Sequence, residues 1–199
     1  MKKGIVTHAP KHFTIVLAIF LVGCAAVREE SNPFFSDATQ VTQSPESEDT
    51  ISYWDGDRIS GRPSIKIDLE NQRAYFYKGG QIVGVSVVST GREGHDTPQG
   101  DFRVVDKDVD HASSLYGNYV DPSGQIVVQN VENEKDPRPP GTVFRGAPMP
   151  YFLRIHGDIG MHAGYLPGYP ASHGCIRLPE SMAEKFFQEA PVGTPVEIW

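Results

Sequence analysis

Only two cysteines occur in 199 residues, so the one disulfide the chain could form joins Cys24 to Cys175. That pairing would tether a processed N-terminus to the C-terminal region and consume a reactive thiol, and it is set aside. Long hydrophobic runs are equally scarce. Phe13 to Val22 is nearly all apolar, but a permanent bilayer span needs roughly twenty such residues. Basic residues are outnumbered, 18 against 25, for a formal charge of −7. This balance argues against nucleic acid and against anionic lipid surfaces as partners. No H-E-x-x-H motif, zinc-ligand spacing, phosphate-cradling glycine loop or internal repeat is present. No metal and no cofactor is therefore expected.

What is there begins with an export signal. Lys2 and Lys3 precede the apolar run, which has the length of a secretory h-region. It ends in Leu21-Val22-Gly23-Cys24, which resembles the bacterial lipobox. The resemblance implies lipid transfer to Cys24, cleavage before it, and a mature protein anchored to a membrane through its lipid. An ordinary signal peptide cut elsewhere is the alternative. Ala25, in place of an aspartate after the cysteine, points to the outer membrane where one exists. Removing residues 1–23 takes away three lysines and no acids, so the formal charge moves from −7 to −10.

Residues 24–62 read as the lipidated N-terminus and a tether. The stretch Ser36 to Thr50 is polar, acidic and poor in core formers, so it cannot offset its ordering entropy by burial. Phe34, Phe35, Tyr53 and Trp54 depart from this pattern and would pack on the domain edge or on a partner. Residues 63–199 form one domain of ordinary size. Ser64 to Leu69 alternates polar and apolar as a half-buried strand does. A second strand covers Arg73 to Lys78, Gly79-Gly80 makes a hairpin, and Gln81 to Ser89 is a third strand. Further strands are expected at 101–105, 125–129, 150–156, 159–163 and 192–199. Residues 106–146, rich in Gly, Pro, Asn and Asp, read as irregular structure carrying an insertion or lid. One helix is expected over 179–190, with Pro179 at its start and Met182, Phe186 and Phe187 as its apolar stripe. The fold class is mainly β with one short helix after Cys175.

Chemistry concentrates in Ser172-His173-Gly174-Cys175-Ile176-Arg177-Leu178 and, upstream, Gly160-Met161-His162-Ala163-Gly164. A cysteine near a histidine is the usual arrangement for a thiolate nucleophile with its base. A helix N-terminus just downstream would favour the thiolate. Backbone amides at Gly174 and Cys175 could face a developing oxyanion.

This pattern resembles the L,D-transpeptidase catalytic domain, the YkuD family of bacterial cell-wall enzymes. The matching blocks are the strand pair Ile65 to Tyr77, Ser89-Thr90-Gly91, Thr97-Pro98-Gln99-Gly100-Asp101-Phe102, Met161-His162-Ala163-Gly164, the Ser172 to Leu178 block and Gly193-Thr194-Pro195-Val196. The resemblance covers residues 63–199 and implies a β-sandwich-like catalytic domain. It implies Cys175 as nucleophile, His162 as general base and proton donor, and Gly174 and Cys175 as oxyanion donors. The substrate implied is a peptidoglycan tetrapeptide stem, acylated at the L-centre of diaminopimelate with release of D-alanine. An acceptor amine then takes the acyl group. Hydrolysis by an L,D-carboxypeptidase, or a non-catalytic peptidoglycan-binding lipoprotein on the same fold, are the alternatives. The implied location is the periplasmic face of the envelope, and nothing points to obligate assembly beyond a monomer.

Nine residues separate His162 from Ser172, a shorter loop than the family usually has, whereas His156 leaves fifteen. His162 is preferred as base on its local block, since loop length changes cheaply. His173 and Ser172 are read as support for the nucleophile turn. Arg177 would either hold a substrate carboxylate or form a structural ion pair. Tyr151 and Tyr165 are candidate pocket residues, while His95 and His111 are read as solvated.

Overall fold

The computed structural model describes residues 49–199, so the signal segment, Cys24 and most of the tether lie outside the described residues. Strands β2 (Pro63–Asp68), β3 (Arg73–Lys78) and β4 (Gln81–Val87) form an antiparallel meander. Alternation sets their inner face: Ile65, Ile67, Ala74 and Phe76 are buried, while Tyr75 and Tyr77 on β3 are only partly so. Gly79 and Gly80 both take positive φ, which the two-residue hairpin between β3 and β4 requires. The last strand, β13 (Pro195–Ile198), enters this sheet between β2, which it meets in parallel, and β5 (Gly100–Arg103). With β1 (Tyr53–Trp54) the sheet has six strands, in the order β1-β4-β3-β2-β13-β5.

A second sheet has the order β12-β11-β10-β6. Its strands are β6 (Asp106–Asp108), β10 (Phe152–His156), β11 (Ile159–Ala163) and β12 (Ile176–Leu178). Leu153, Ile155, Met161, Ala163, Ile176 and Leu178 face the first sheet and share one core with it. The helix α1 (Glu180–Glu189) adds Met182, Ala183 and Phe186, and Pro179 is its N-cap. Phe76 and Phe186 meet edge to face with centroids 5.0 Å apart at the centre of this core. The helix and strands β10, β11 and β13 follow the sequence pattern, whereas β12 is a strand the sequence had not marked.

The region 106–146 departs from it. The strand expected at 125–129 is β8 (Ile126–Glu132), but in place of irregular structure around it β7 (Ala112–Val120) and β9 (Val143–Pro148) join it in a third antiparallel sheet, ordered β8-β7-β9. The glycines that suggested a loop are what let these strands approach. A Cβ on Gly117 would lie 2.2 Å from the Arg145 carbonyl, and one on Gly146 would lie 2.0 Å from that of Ser113. Register shifts beside Gly117 break the alternation that would have marked a strand. Tyr119, Val120 and Val131 are buried in this sheet, and the Tyr119 hydroxyl donates to the Asp136 carbonyl at 2.9 Å.

The packed body also starts before Pro63. Tyr53 and Trp54 pair with Val85 and Gly84 of β4. The Trp54 ring stands 5.2 Å from Phe76 and 6.2 Å from Phe186. It fits only because Gly56 and Gly84 carry no side chain, since a Cβ on either would come within 2.6 Å of the indole. Lys78 Nζ, nearly buried, donates to the Gly56 carbonyl at 2.8 Å and pairs with Glu189 at the same distance. Of the two readings left open for Trp54, packing on the domain is the one observed. Truncating a large aromatic in a core costs about 3–5 kcal/mol. A chain starting at Pro63 should therefore unfold at a markedly lower urea concentration than one starting at Asp49, and Trp54→Ala in the longer chain should reproduce most of the difference. Equal midpoints for all three would show that this segment does not support the core.

Candidate active site

The site is built on the parallel pairing of β11 and β12, in which Met161 faces Ile176, His162 faces Arg177 and Ala163 faces Leu178. Successive residues of a strand point to opposite sides. Met161, Ala163, Ile176 and Leu178 take the core side. His162 and Arg177 take the other, and Cys175, two residues before Arg177, shares their face. All three line a cavity of about 660 Å³. The third sheet covers its far side with Tyr116, Asn118 and Glu132.

Gly174, at φ +116°, turns the chain into β12. The Ser172 hydroxyl accepts the Gly174 N–H at 3.0 Å and donates to the Cys175 carbonyl at 2.5 Å. The Gly174 amide is thus committed inside the turn, which corrects its expected role as an oxyanion donor. Thr97 Oγ1 donates to the Gly174 carbonyl at 2.8 Å and accepts the Gly91 N–H at 2.9 Å. The Ser89-Thr90-Gly91 block borders the same turn, because Ser89 and Arg177 exchange backbone hydrogen bonds at 3.0 Å. His173 stacks on Tyr116, with centroids 4.0 Å apart, and meets His95 edge-on at 4.9 Å. Burial lowers its pKa to about 4, so it is neutral near pH 7. Ser172 is thus bonded within the turn, and His173 packs against Tyr116 of the third sheet.

His162 is buried, and its Nδ1 lies 2.7 Å from the Ala163 carbonyl. A carbonyl only accepts, so Nδ1 carries the proton and Nε2 keeps the lone pair. Burial depresses the His162 pKa to about 4; the Ala163 bond opposes that shift, and Arg177 and His111 add to it. His156 ends β10 in an exposed position, with its ring 5.5 Å from Phe102, and does not border the cavity. The geometry therefore favours His162 over His156, as the local sequence block had indicated despite the spacing.

The sulfur sits half-buried at the cavity floor, and its S–H points to the Asp158 carbonyl at 3.7 Å. Burial raises the thiol pKa, while the Gly160 amide and the Arg177 guanidinium pull it down less strongly. Gly160 must be glycine, because a Cβ there would lie 2.5 Å from the Leu153 carbonyl. The expected help from the helix dipole is not realised. The three residues of β12 and the N-cap Pro179 separate Cys175 from α1, which begins at Glu180, and the dipole acts only close to the first turn. At rest the thiol of Cys175 and the imidazole of His162, which line the same cavity, are both neutral near pH 7.

Tyr165 borders the cavity, as expected, and so does Arg177, whose aliphatic stem crosses Gly164. Tyr151 does not. It takes φ +59° and packs its ring 6.0 Å from Phe187 against the helix, away from the cavity. His111, read as solvated, instead stacks on Phe152 at 4.2 Å, holds Asp108 at 3.0 Å and borders the cavity. It was missed together with β7 because nothing local marks a strand there. Among the described residues, no group of His, Cys, Asp and Glu is arranged to hold a metal ion.

Residues 62–198 match the family described as YkuD, the L,D-transpeptidase catalytic domain. The chain belongs to this family. A curated relative, the probable L,D-transpeptidase ErfK/SrfK of Salmonella typhimurium, is 27% identical over 144 residues, which are 69% of this chain and 44% of the relative. A cysteine-to-serine mutant of an Enterococcus faecium L,D-transpeptidase is 26% identical with a TM-score of 0.52, over 70% of this chain and 50% of that one. An L,D-transpeptidase of Mycobacterium smegmatis shares the fold at 18% identity and a TM-score of 0.51, over 70% of this chain and 59% of that one. The chain spans about half the length of the relatives it matches. Alkylation of Cys175 requires its thiol to lose a proton, and a neutral imidazole at His162 would be free to take one. His162 accepts a proton only above a pKa of about 4, and the Cys175 thiol is raised from its ordinary value. Alkylation of Cys175 by iodoacetamide should therefore keep rising with pH through neutrality into the alkaline range. A plateau below pH 7 would mean a preformed thiolate–imidazolium pair and would overturn the neutral assignment.

Proposed function

We propose that the chain is a peptidoglycan L,D-transpeptidase, in which Cys175 takes an acyl group from a tetrapeptide stem and passes it to an amine. The observation that carries this reading is the shared face of Cys175 and His162, with Nδ1 anchored on the Ala163 carbonyl and Nε2 left as the base. Family membership and the relatives named above support it.

Since both groups rest neutral, attack and proton transfer occur together. Sγ bonds to the carbonyl carbon of the diaminopimelate L-centre while Nε2 takes the thiol proton. The carbonyl electron pair moves to oxygen, where the Cys175 N–H is the donor this turn offers once Gly174 is committed. Collapse breaks the amide C–N bond. The His162 imidazolium, strongly disfavoured by its burial, protonates the departing D-alanine amine. An acceptor amine then attacks the thioester carbon and loses its proton to Nε2, which returns it to sulfur as the C–S bond breaks. Arg177 at the cavity wall is suited to a substrate carboxylate and Tyr165 to the stem backbone or an aromatic contact.

Purified protein given disaccharide-tetrapeptide should release D-alanine and form a cross-linked dimer, both visible by mass spectrometry. Cys175→Ala should abolish the products, and His162→Ala should slow them by about 10²–10⁴-fold. Identical behaviour of wild type and Cys175→Ala would leave a non-catalytic peptidoglycan-binding role. Release of D-alanine without dimer would make the protein a carboxypeptidase.

The lipobox-like Leu21 to Cys24 supports a lipid anchor in the cell envelope, with the catalytic domain on the periplasmic side. Among the described residues no helix is long and apolar enough to cross a membrane. Cells expressing the chain should incorporate labelled palmitate into it, and Cys24→Ser should abolish the label. Labelling that survives this substitution would remove Cys24 as the anchor.

A further inference from the structure

Thr97 lies outside the cavity, is 4% exposed, and touches no reacting group, yet its hydroxyl makes two directed hydrogen bonds at the nucleophile turn. We propose that Thr97 is a positioning residue that builds the oxyanion site, by fixing the peptide plane between Gly174 and Cys175. The proposal rests on the reading of Cys175 as the acylated nucleophile.

A trans peptide holds its C=O and the following N–H in one plane, pointing in opposite directions. No cis peptide occurs among the described residues. The Gly174 carbonyl is drawn behind the turn to the buried Thr97 hydroxyl at 2.8 Å, so the Cys175 N–H is directed the opposite way. Cys175 borders the cavity, while Gly174 and Thr97 do not. The N–H therefore faces the side on which a substrate carbonyl bonded to Sγ would place its oxygen.

This plane needs an external lock. Gly174 has no Cβ and sits at φ +116°, so its ψ is little restrained and a flip of the following peptide is sterically cheap. Ser172 fixes the groups on either side, the Gly174 N–H and the Cys175 carbonyl, but neither atom of the peptide between them. Thr97 supplies that restraint. Its single hydroxyl proton is aimed at the Gly174 carbonyl because the Gly91 N–H occupies a lone pair at 2.9 Å. Gly91 can come so close only as glycine, since a Cβ there would lie 2.0 Å from the His95 carbonyl. Thr97 is itself stiff, being β-branched and followed by Pro98, which confines its backbone to extended conformations.

The test compares two reactions of the same sulfur in the full chain. Acylation by imipenem passes through an oxyanion, whereas alkylation by iodoacetamide is a displacement without one. Thr97→Val should slow acylation on the order of 100-fold, the scale of losing one oxyanion donor, and leave alkylation near the wild-type rate. Thr97→Ser, which keeps the hydroxyl, should recover most of the loss. Should the valine variant fail to fold, Thr97→Ala carries the same comparison. Unchanged acylation, or equal slowing of both reactions, overturns the proposal. A wild-type protein that imipenem does not acylate, yet iodoacetamide alkylates, overturns instead the reading of Cys175 as an acyl-transfer nucleophile, and this inference falls with it.

Discussion

The parallel pairing of β11 with β12 is the constraint on which the site depends. One register sends Met161, Ala163, Ile176 and Leu178 into the core and His162, Arg177 and Cys175 to the cavity. A shift of one residue would exchange the two sets. The hydrophobic core therefore fixes the relative position of sulfur and imidazole, because misregister would bring charged and reactive groups into an apolar interior at a cost of several kcal/mol. Stability and the proposed chemistry draw on the same contacts.

Burial then decides the protonation state. The usual picture of a histidine-activated cysteine is an ion pair, but here desolvation pushes the imidazole down and the thiol up. A charge separated at the cavity floor is disfavoured until substrate provides a place for it. An imidazolium at His162 would consequently be a strong acid, which suits the proposed protonation of a leaving amine. Arg177 favours the thiolate but disfavours the imidazolium, so this one cation pulls the two partners in opposite senses during the proposed attack.

The third sheet gives the cavity its depth. Tyr116 reaches from β7 to stack on His173, so the covering sheet and the nucleophile turn are in direct contact. Trp54 and the Lys78–Glu189 pair fasten the segment before Pro63 to the core.

Much of this was legible locally. The alternation of Ile65, Ile67, Ala74 and Phe76 announced a sheet. The stripe of Met182 and Phe186 announced the helix, and the Ser172 to Leu178 block announced the chemistry. The strands β7 and β9 were hidden because Gly117 and Gly146, breakers by composition, serve as points of close backbone approach. Tyr151 and His111 were misassigned for the same reason, since their neighbours come from distant segments. By itself the sequence determined the fold class and the family resemblance and marked the candidate reactive residues, all of which follow from short-range periodicity and contiguous motifs. Only the tertiary structure decided that His162 and not His156 borders the cavity Cys175 lines, which His162 ring nitrogen holds the proton, that burial pushes the imidazole pKa down and the thiol pKa up, and that Ser172 engages the Gly174 amide. Those outcomes depend on desolvation and on hydrogen bonds between residues far apart in the chain, and no local pattern encodes either.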